Sequence, residues 1–164
     1  MATITVEDGT GKTDSTSYVS VADFESFVSE RGFTLTEENG DSSQVLVRAM
    51  DYLESLPFKG TRISRDQALQ WPRYDVYIDG ESVLSDEIPD ELVKAQNIIA
   101  YQIDQGNDPQ KIIERATKRE KVDVLEIEYQ DNAAEHDIIT PIVDAVAKLL
   151  RAGASPLNFR VGRG

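Results

Sequence analysis

Cysteine is absent from the 164 residues, which excludes disulfide frameworks, thiolate nucleophiles and cysteine-ligated zinc and removes any dependence on an oxidising compartment. Histidine occurs once, so no histidine pair can hold a metal. No apolar run approaches the roughly 20 residues that a membrane span requires. The opening Met1-Ala2-Thr3-Ile4 carries neither a basic region nor an apolar signal core, and the expectation is synthesis and use in the cytoplasm without a cleaved signal peptide. Basic residues are scarce: 17 lysines and arginines face 30 aspartates and glutamates, a net charge of -13. Duplex DNA is repelled over most of such a surface, and any contact with it must be local. The scarcity is uneven, because residues 151–164 hold Arg151, Arg160 and Arg163 with no acid at all.

What is present suits one domain with a modest core and much polar surface: 40% of residues are apolar and 29% charged. Apolar spacing marks helices. Ser20 and Asp23 read as a cap before Val21, Phe24, Phe27 and Val28, a face that Gly32 ends. Val45, Leu46, Ala49, Met50, Leu53 and Leu56 form a second stripe ended by Pro57, after a polar loop over 34–43. Pro89, Asp90 and Glu91 open a third, with Leu92, Ala95, Ile99 and Ile103 running to Gly106. Thr140-Pro141 opens a fourth, with Ile142, Val143, Val146, Leu149 and Leu150 running to Gly153.

Between these lie shorter signals. Thr3–Val6 alternates as a strand into the Asp8-Gly9 turn, and Val122–Tyr129 changes phase as a strand with a bulge would, the two being candidate partners. Residues 58–86 are irregular, with a short helix expected over Arg65–Gln70 and a turn at Asp79-Gly80. Asp108-Pro109 is expected to open a short helix through Ile112 and Ile113. The expected architecture is mainly α: a four-helix-type bundle over 1–154 with a small β-hairpin element, followed by an extended C-terminal arm over 155–164.

Motifs that carry chemistry elsewhere are incomplete here. Gly11-Lys12-Thr13 resembles the end of a phosphate-binding loop, but Val6 stands where the leading glycine belongs and no helix begins at Thr13. Asp75, Asp79 and Gly80 echo a calcium loop, yet Tyr77 occupies a ligand position and Asp86 replaces the bidentate glutamate. His136 lies between Glu135 and Asp137 in a polar stretch and reads as solvated. No spacing among the carboxylates nominates an acid–base pair, so no enzyme activity and no cofactor are expected. Trp71, followed by Pro72-Arg73, reads as a buried structural plug. Tyr74, Tyr77 and Tyr129 could stack on bases, but Asp75, Asp79, Glu126 and Glu128 neighbour them where a stacking platform wants cations.

Four strings are familiar together: Thr5-Val6-Glu7-Asp8-Gly9-Thr10-Gly11, Ser17-Tyr18-Val19-Ser20-Val21-Ala22-Asp23, Asp66-Gln67-Ala68-Leu69-Gln70-Trp71-Pro72-Arg73, and Ile88-Pro89 before a helix. Over residues 3 to 150 the chain resembles a phage protein family labelled DnaT-like and single-stranded-DNA-binding, whose members are similar to head-tail connector adaptors of long-tailed phages. The resemblance implies a structural subunit of the virion neck, assembled in the host cytoplasm. It implies a homo-oligomeric ring of about twelve copies under the portal protein, which extends the DNA channel and receives a stopper or tail-terminator protein, with no membrane partner. In such adaptors the C-terminal arm docks on the portal. Leu157 and Phe159 suit pockets there and Arg160 and Arg163 suit acidic partners. The alternative is a DnaT-like single-stranded-DNA-binding protein, against which stands the lack of a basic stripe.

Overall fold

The computed structural model describes residues 2–110, 117–119, 128–129 and 146–151. Helix α1 (Val21–Glu30) starts where Ser20 Oγ accepts the Asp23 amide at 3.1 Å. It buries Phe24 and Val28 and ends at Gly32, whose positive φ of 66° suits a residue without a side chain. Helix α2 (Ser42–Glu54) begins before its apolar stripe because Asp41 and Gln44 form a reciprocal capping box, each side chain accepting the other's amide at 3.0 Å. The loop expected over 34–43 is therefore shorter by two residues. Helix α3 (Asp90–Asp104) has Pro89 at its N-cap and acids in its first turn, and it buries Leu92, Ala95, Ile99 and Ile103.

The main helix pair is α2 against α3, with α1 across both. Their stripes meet in one core, where Phe24, Leu46, Leu53, Leu92, Ile99 and Ile103 are fully buried together with Phe58, Trp71 and Leu149 from outside the helices.

The rest of the framework is short antiparallel ribbon. Strand β1 (Thr61–Arg62) pairs with β2 (Arg73–Tyr74), and β3 (Tyr77–Ile78) with β4 (Glu81–Ser82). Asp79 and Gly80, at φ 52° and 91°, make the turn between β3 and β4, as an Asp-Gly pair should. Strand β5 (Thr117–Arg119) pairs with β6 (Glu128–Tyr129). The register irregularity lies on β5, between Thr117 and Arg119, whereas the sequence pattern placed a bulge in the Val122–Tyr129 run. Positions 122–127 lie outside the described residues.

Three expectations are corrected. The molecule is not a four-helix bundle: among the described residues three α-helices carry the core beside two-stranded antiparallel sheets. Val146, Leu149 and Leu150 are buried as a fourth stripe requires, but Ala147–Leu149 is a single 3-10 turn and Leu150 is extended at φ -85°, ψ 153°. The cause is competition for the backbone. Leu149 O accepts from Lys59 N at 2.8 Å and Arg151 N donates to Pro57 O at 3.0 Å, so this segment pairs sideways and cannot continue a helix to Gly153. Positions 140–145 lie outside the described residues.

The helix expected over Arg65–Gln70 is a series of bends, because buried Gln67 takes the local backbone groups. Its Nε2 donates to Leu69 O at 2.8 Å and Pro72 O at 3.1 Å, and its Oε1 accepts from Ser64 N at 2.9 Å. The N-terminal segment has a local partner, and positions 122–127 of the run offered as its other candidate lie outside the described residues. Thr5 O accepts from Thr16 N at 2.8 Å, and Glu7 N donates to Ser17 O at 2.9 Å, so the segment pairs with its own return.

Candidate interface site

The Gly11-Lys12-Thr13 loop contains the amide cradle that a phosphate-binding loop would need, and the chain fills it with its own carboxylate. Glu7, 3% exposed, accepts from the amides of Gly9 at 3.0 Å, Gly11 at 2.9 Å and Lys12 at 2.8 Å, and from Ser15 Oγ at 2.8 Å. Lys12, which a nucleotide site would aim at phosphate, instead donates to Val6 O and pairs with Asp8, both at 2.8 Å. That pairing holds the Asp8 carboxyl well below its ordinary range, with Thr10 Oγ1 adding to it. The loop is thus a closed structural unit, fastened to the next segment where Ala68 N donates to Lys12 O at 2.8 Å. Gly9 lies so close to that framework that an added Cβ would stand 1.9 Å from Asp86 O.

A second buried network fixes the Trp71 segment. Tyr18 accepts the Trp71 amide on its hydroxyl at 3.0 Å, and its own amide donates to Gln96 Oε1 at 2.9 Å. Gln96 Nε2 donates in turn to Ser17 Oγ at 2.7 Å and Leu46 O at 3.2 Å, tying α3 to α2 and to the N-terminal turn. Glu54 accepts the Gln70 amide at 2.8 Å. Burial pushes the Glu54 carboxyl above its ordinary value of 4.5, opposed by the Gln70 hydrogen bond and by Arg62 and Arg73. Burial and the Glu54 charge likewise push the Tyr18 phenol up, so it stays a neutral donor and acceptor. Trp71 is fully enclosed, with its ring edge-on to Phe58 at 6.1 Å, and Pro72 is buried after a cis peptide bond.

Around this plug the fold gathers cations that are scattered in sequence. Arg73 is buried and spends its guanidinium on Lys59 O at 2.6 Å, Gly60 O at 2.8 Å, and Gln70 O and Oε1 at 3.1 and 2.7 Å. Burial lowers its pKa, and the nearby Arg151 and Arg62 charges add to the effect. Lys59 Nζ donates to Lys148 O at 2.6 Å, Arg151 Nε to Phe58 O at 2.9 Å, and Arg62 to Gln67 O. Lys148 pairs with Asp79 at 2.6 Å, which raises the lysine pKa. Five cations thus meet three carboxylates, Glu54, Asp79 and Glu91, the last of which reaches Lys148 by its charge. Subtracting these from the totals of 17 and 30 leaves 12 cations and 27 acids elsewhere. Beside the cluster the ribbons present Tyr74, 44% exposed, and Tyr77, 59% exposed, with Leu84 at 64% in the loop that follows.

Trp71 and Pro72 therefore sit in the core at the centre of this region, while Leu157, Phe159, Arg160 and Arg163 lie outside the described residues, as does His136. Of the calcium-loop echo, Asp79 is engaged by Lys148 in a hairpin turn. No group of three or more metal-ligating side chains is placed to hold an ion among the described residues, and no helix there is long and apolar enough to cross a membrane. Sequence reasoning missed Glu7, Gln96, Arg73 and the convergence of Lys59 with Arg151. A signal existed only for Glu7, an acid directly before a loop with glycines at 9 and 11.

A family model described as "Putative DnaT-like ssDNA binding protein" matches residues 2–164. The chain belongs to this family. No curated protein and no solved structure matches it. The description of that family names single-stranded DNA.

Proposed function

We propose that this member of the DnaT-like family is a structural adaptor of a tailed-phage neck, assembling as a ring between the portal and the next neck protein and lining the DNA channel. One observation carries the reading: buried Glu7, Gln67, Arg73 and Gln96 are consumed in holding segments in place, while large apolar groups stand exposed on short, braced ribbons and the loop after them. Glu7, Gln67, Arg73 and Gln96 each spend several hydrogen bonds internally. Tyr74, Tyr77 and Leu84 face outward beside them. Rigidly held aromatic and aliphatic groups are what a protein interface uses as anchors. The acidic remainder of the surface suits a channel along which DNA slides without sticking. The arm over 155–164, with Leu157, Phe159, Arg160 and Arg163, is assigned to portal docking. A chain ending at 154 should melt like the parent but no longer co-sediment with portal; undiminished co-sedimentation would remove that role from the arm.

A second reading is favoured by the family description and the cationic cluster: binding of single-stranded DNA, with phosphates near Lys59, Lys148 and Arg151 and bases on Tyr74 and Tyr77. It predicts a gel shift that weakens steeply with salt. An adaptor gives no shift at moderate salt.

A further inference from the structure

We propose that the cationic face built from Lys59, Lys148 and Arg151 docks on the acidic outer face of α1 in a second copy of this chain, forming a head-to-tail contact. The inference rests on the adaptor reading above and names the partner of its exposed face. The two faces belong to different elements: the cations ride on the segment after α2 and on the 3-10 turn, whereas α1 packs on α2 and α3. Charge complementarity selects the occupant. Away from the cluster the chain holds 27 acids to 12 cations after the subtraction given above, and the outer side of α1 carries Asp23, Glu25 and Glu30 exposed. Its nearest cation, Arg31, is turned back over the Phe27 ring at 3.6 Å and onto Phe27 O at 3.0 Å.

Shape agrees with charge. Ala22, Ser26 and Ser29 are small, and with Glu25 and Glu30 they line a shallow open concavity on α1. A lysine or arginine tip from a neighbour fits such a surface, its ammonium or guanidinium between two carboxylates and its stem over the small residues. The contact joins two different patches, so it is heterologous, and repeated it builds a ring or a filament rather than closing at a dimer. Tyr77, on the strand that leads into Lys148's partner Asp79, supplies apolar area that charges alone do not, and exposed ion pairs by themselves hold little.

Sedimentation velocity over a concentration series tests this with the full chain. The parent should self-associate, with the association constant falling at least about tenfold between roughly 50 mM and 500 mM salt. K148E/R151E and E25K/E30K should each be monomeric. An equimolar mixture of the two should instead reassociate, because the intact acidic face of one meets the intact cationic face of the other and the two reversed faces are themselves opposite in charge. Circular dichroism melts identify any variant that fails to fold, and K59E then replaces the lost cationic variant. A parent that stays monomeric at every concentration, variants that associate like the parent, or folded variants that do not pair on mixing would overturn the inference. A monomeric parent that still co-sediments with portal leaves the adaptor reading standing; self-association without portal binding removes that reading and keeps this one.

Discussion

Glu7 shows how a single side chain can settle what a motif means. Three amides and a hydroxyl converge on its two oxygens in a loop whose glycines would otherwise suit a phosphate. Removing the carboxylate leaves those buried donors without a partner, and each such loss costs about 1–3 kcal/mol. Glu7→Ala should therefore destabilise the fold by about 2–4 kcal/mol in denaturant unfolding, with Glu7→Gln intermediate because an amide oxygen restores part of the set. An unchanged midpoint for Glu7→Ala would show that the loop contributes nothing to stability. Glu54 gives a residue-scale prediction in pH. Its folded pKa is raised above the ordinary 4.5, so the folded state holds the proton more tightly than the unfolded chain. Its contribution is fully present below 4.5 and is lost as pH rises through the folded value. Melting temperature should accordingly increase on acidification from neutrality toward that window, and Glu54→Gln should flatten the slope. Asp41, lowered by its Ser43 and Gln44 hydrogen bonds, acts in the opposite direction and only below 3.8, so the two are separable.

At the scale of elements, the three helices were legible because each carries a stripe with a signal at its ends: Ser20, Pro57, Pro89, Gly106. What failed to read was wherever the backbone is satisfied across the chain. Val146, Leu149 and Leu150 have helical spacing, but their partners are Pro57, Phe58 and Lys59, about ninety residues away, and no local pattern announces them. The Arg65–Gln70 segment failed for the same reason at shorter range, through Gln67. The cationic cluster was illegible because Lys59, Arg62, Arg73, Lys148 and Arg151 are brought together by those same pairings; in sequence they are isolated. Gly60 marks the seam. It has φ 67°, and an added Cβ would stand 2.3 Å from Tyr74 O and 2.6 Å from Val76 Cγ2. Gly60→Ala should then cost more than about 1 kcal/mol and loosen β1 from β2, read as faster amide exchange at Ile63, whose amide donates to Pro72 O. Trp71→Ala, emptying the plug, should cost about 3–5 kcal/mol.

For the molecule as a whole, the core supplies rigidity and the surface supplies the work. Three helices hold a frame against which residues 57–74 and 146–151 are braced by Trp71, Arg73 and Lys59. That bracing sets Tyr74 and Tyr77 outward next to positive charge on an otherwise acidic body. On the proposed reading such a molecule acts through fitted surfaces, and its net charge of -13 opposes non-specific capture of DNA away from the cluster. Single-strand affinity, if it were the primary role, would have to come from the cluster alone. The charge-reversed K148E/R151E variant would then lose it together with self-association, whereas an adaptor loses only the latter. Negative-stain imaging of the full chain mixed with a tailed-phage portal tests the proposed adaptor role most directly. The account predicts extra ring density capping the portal on the side away from the head. Bare portals in that mixture, together with tight retention of single-stranded DNA by the same protein at physiological salt, would contradict it.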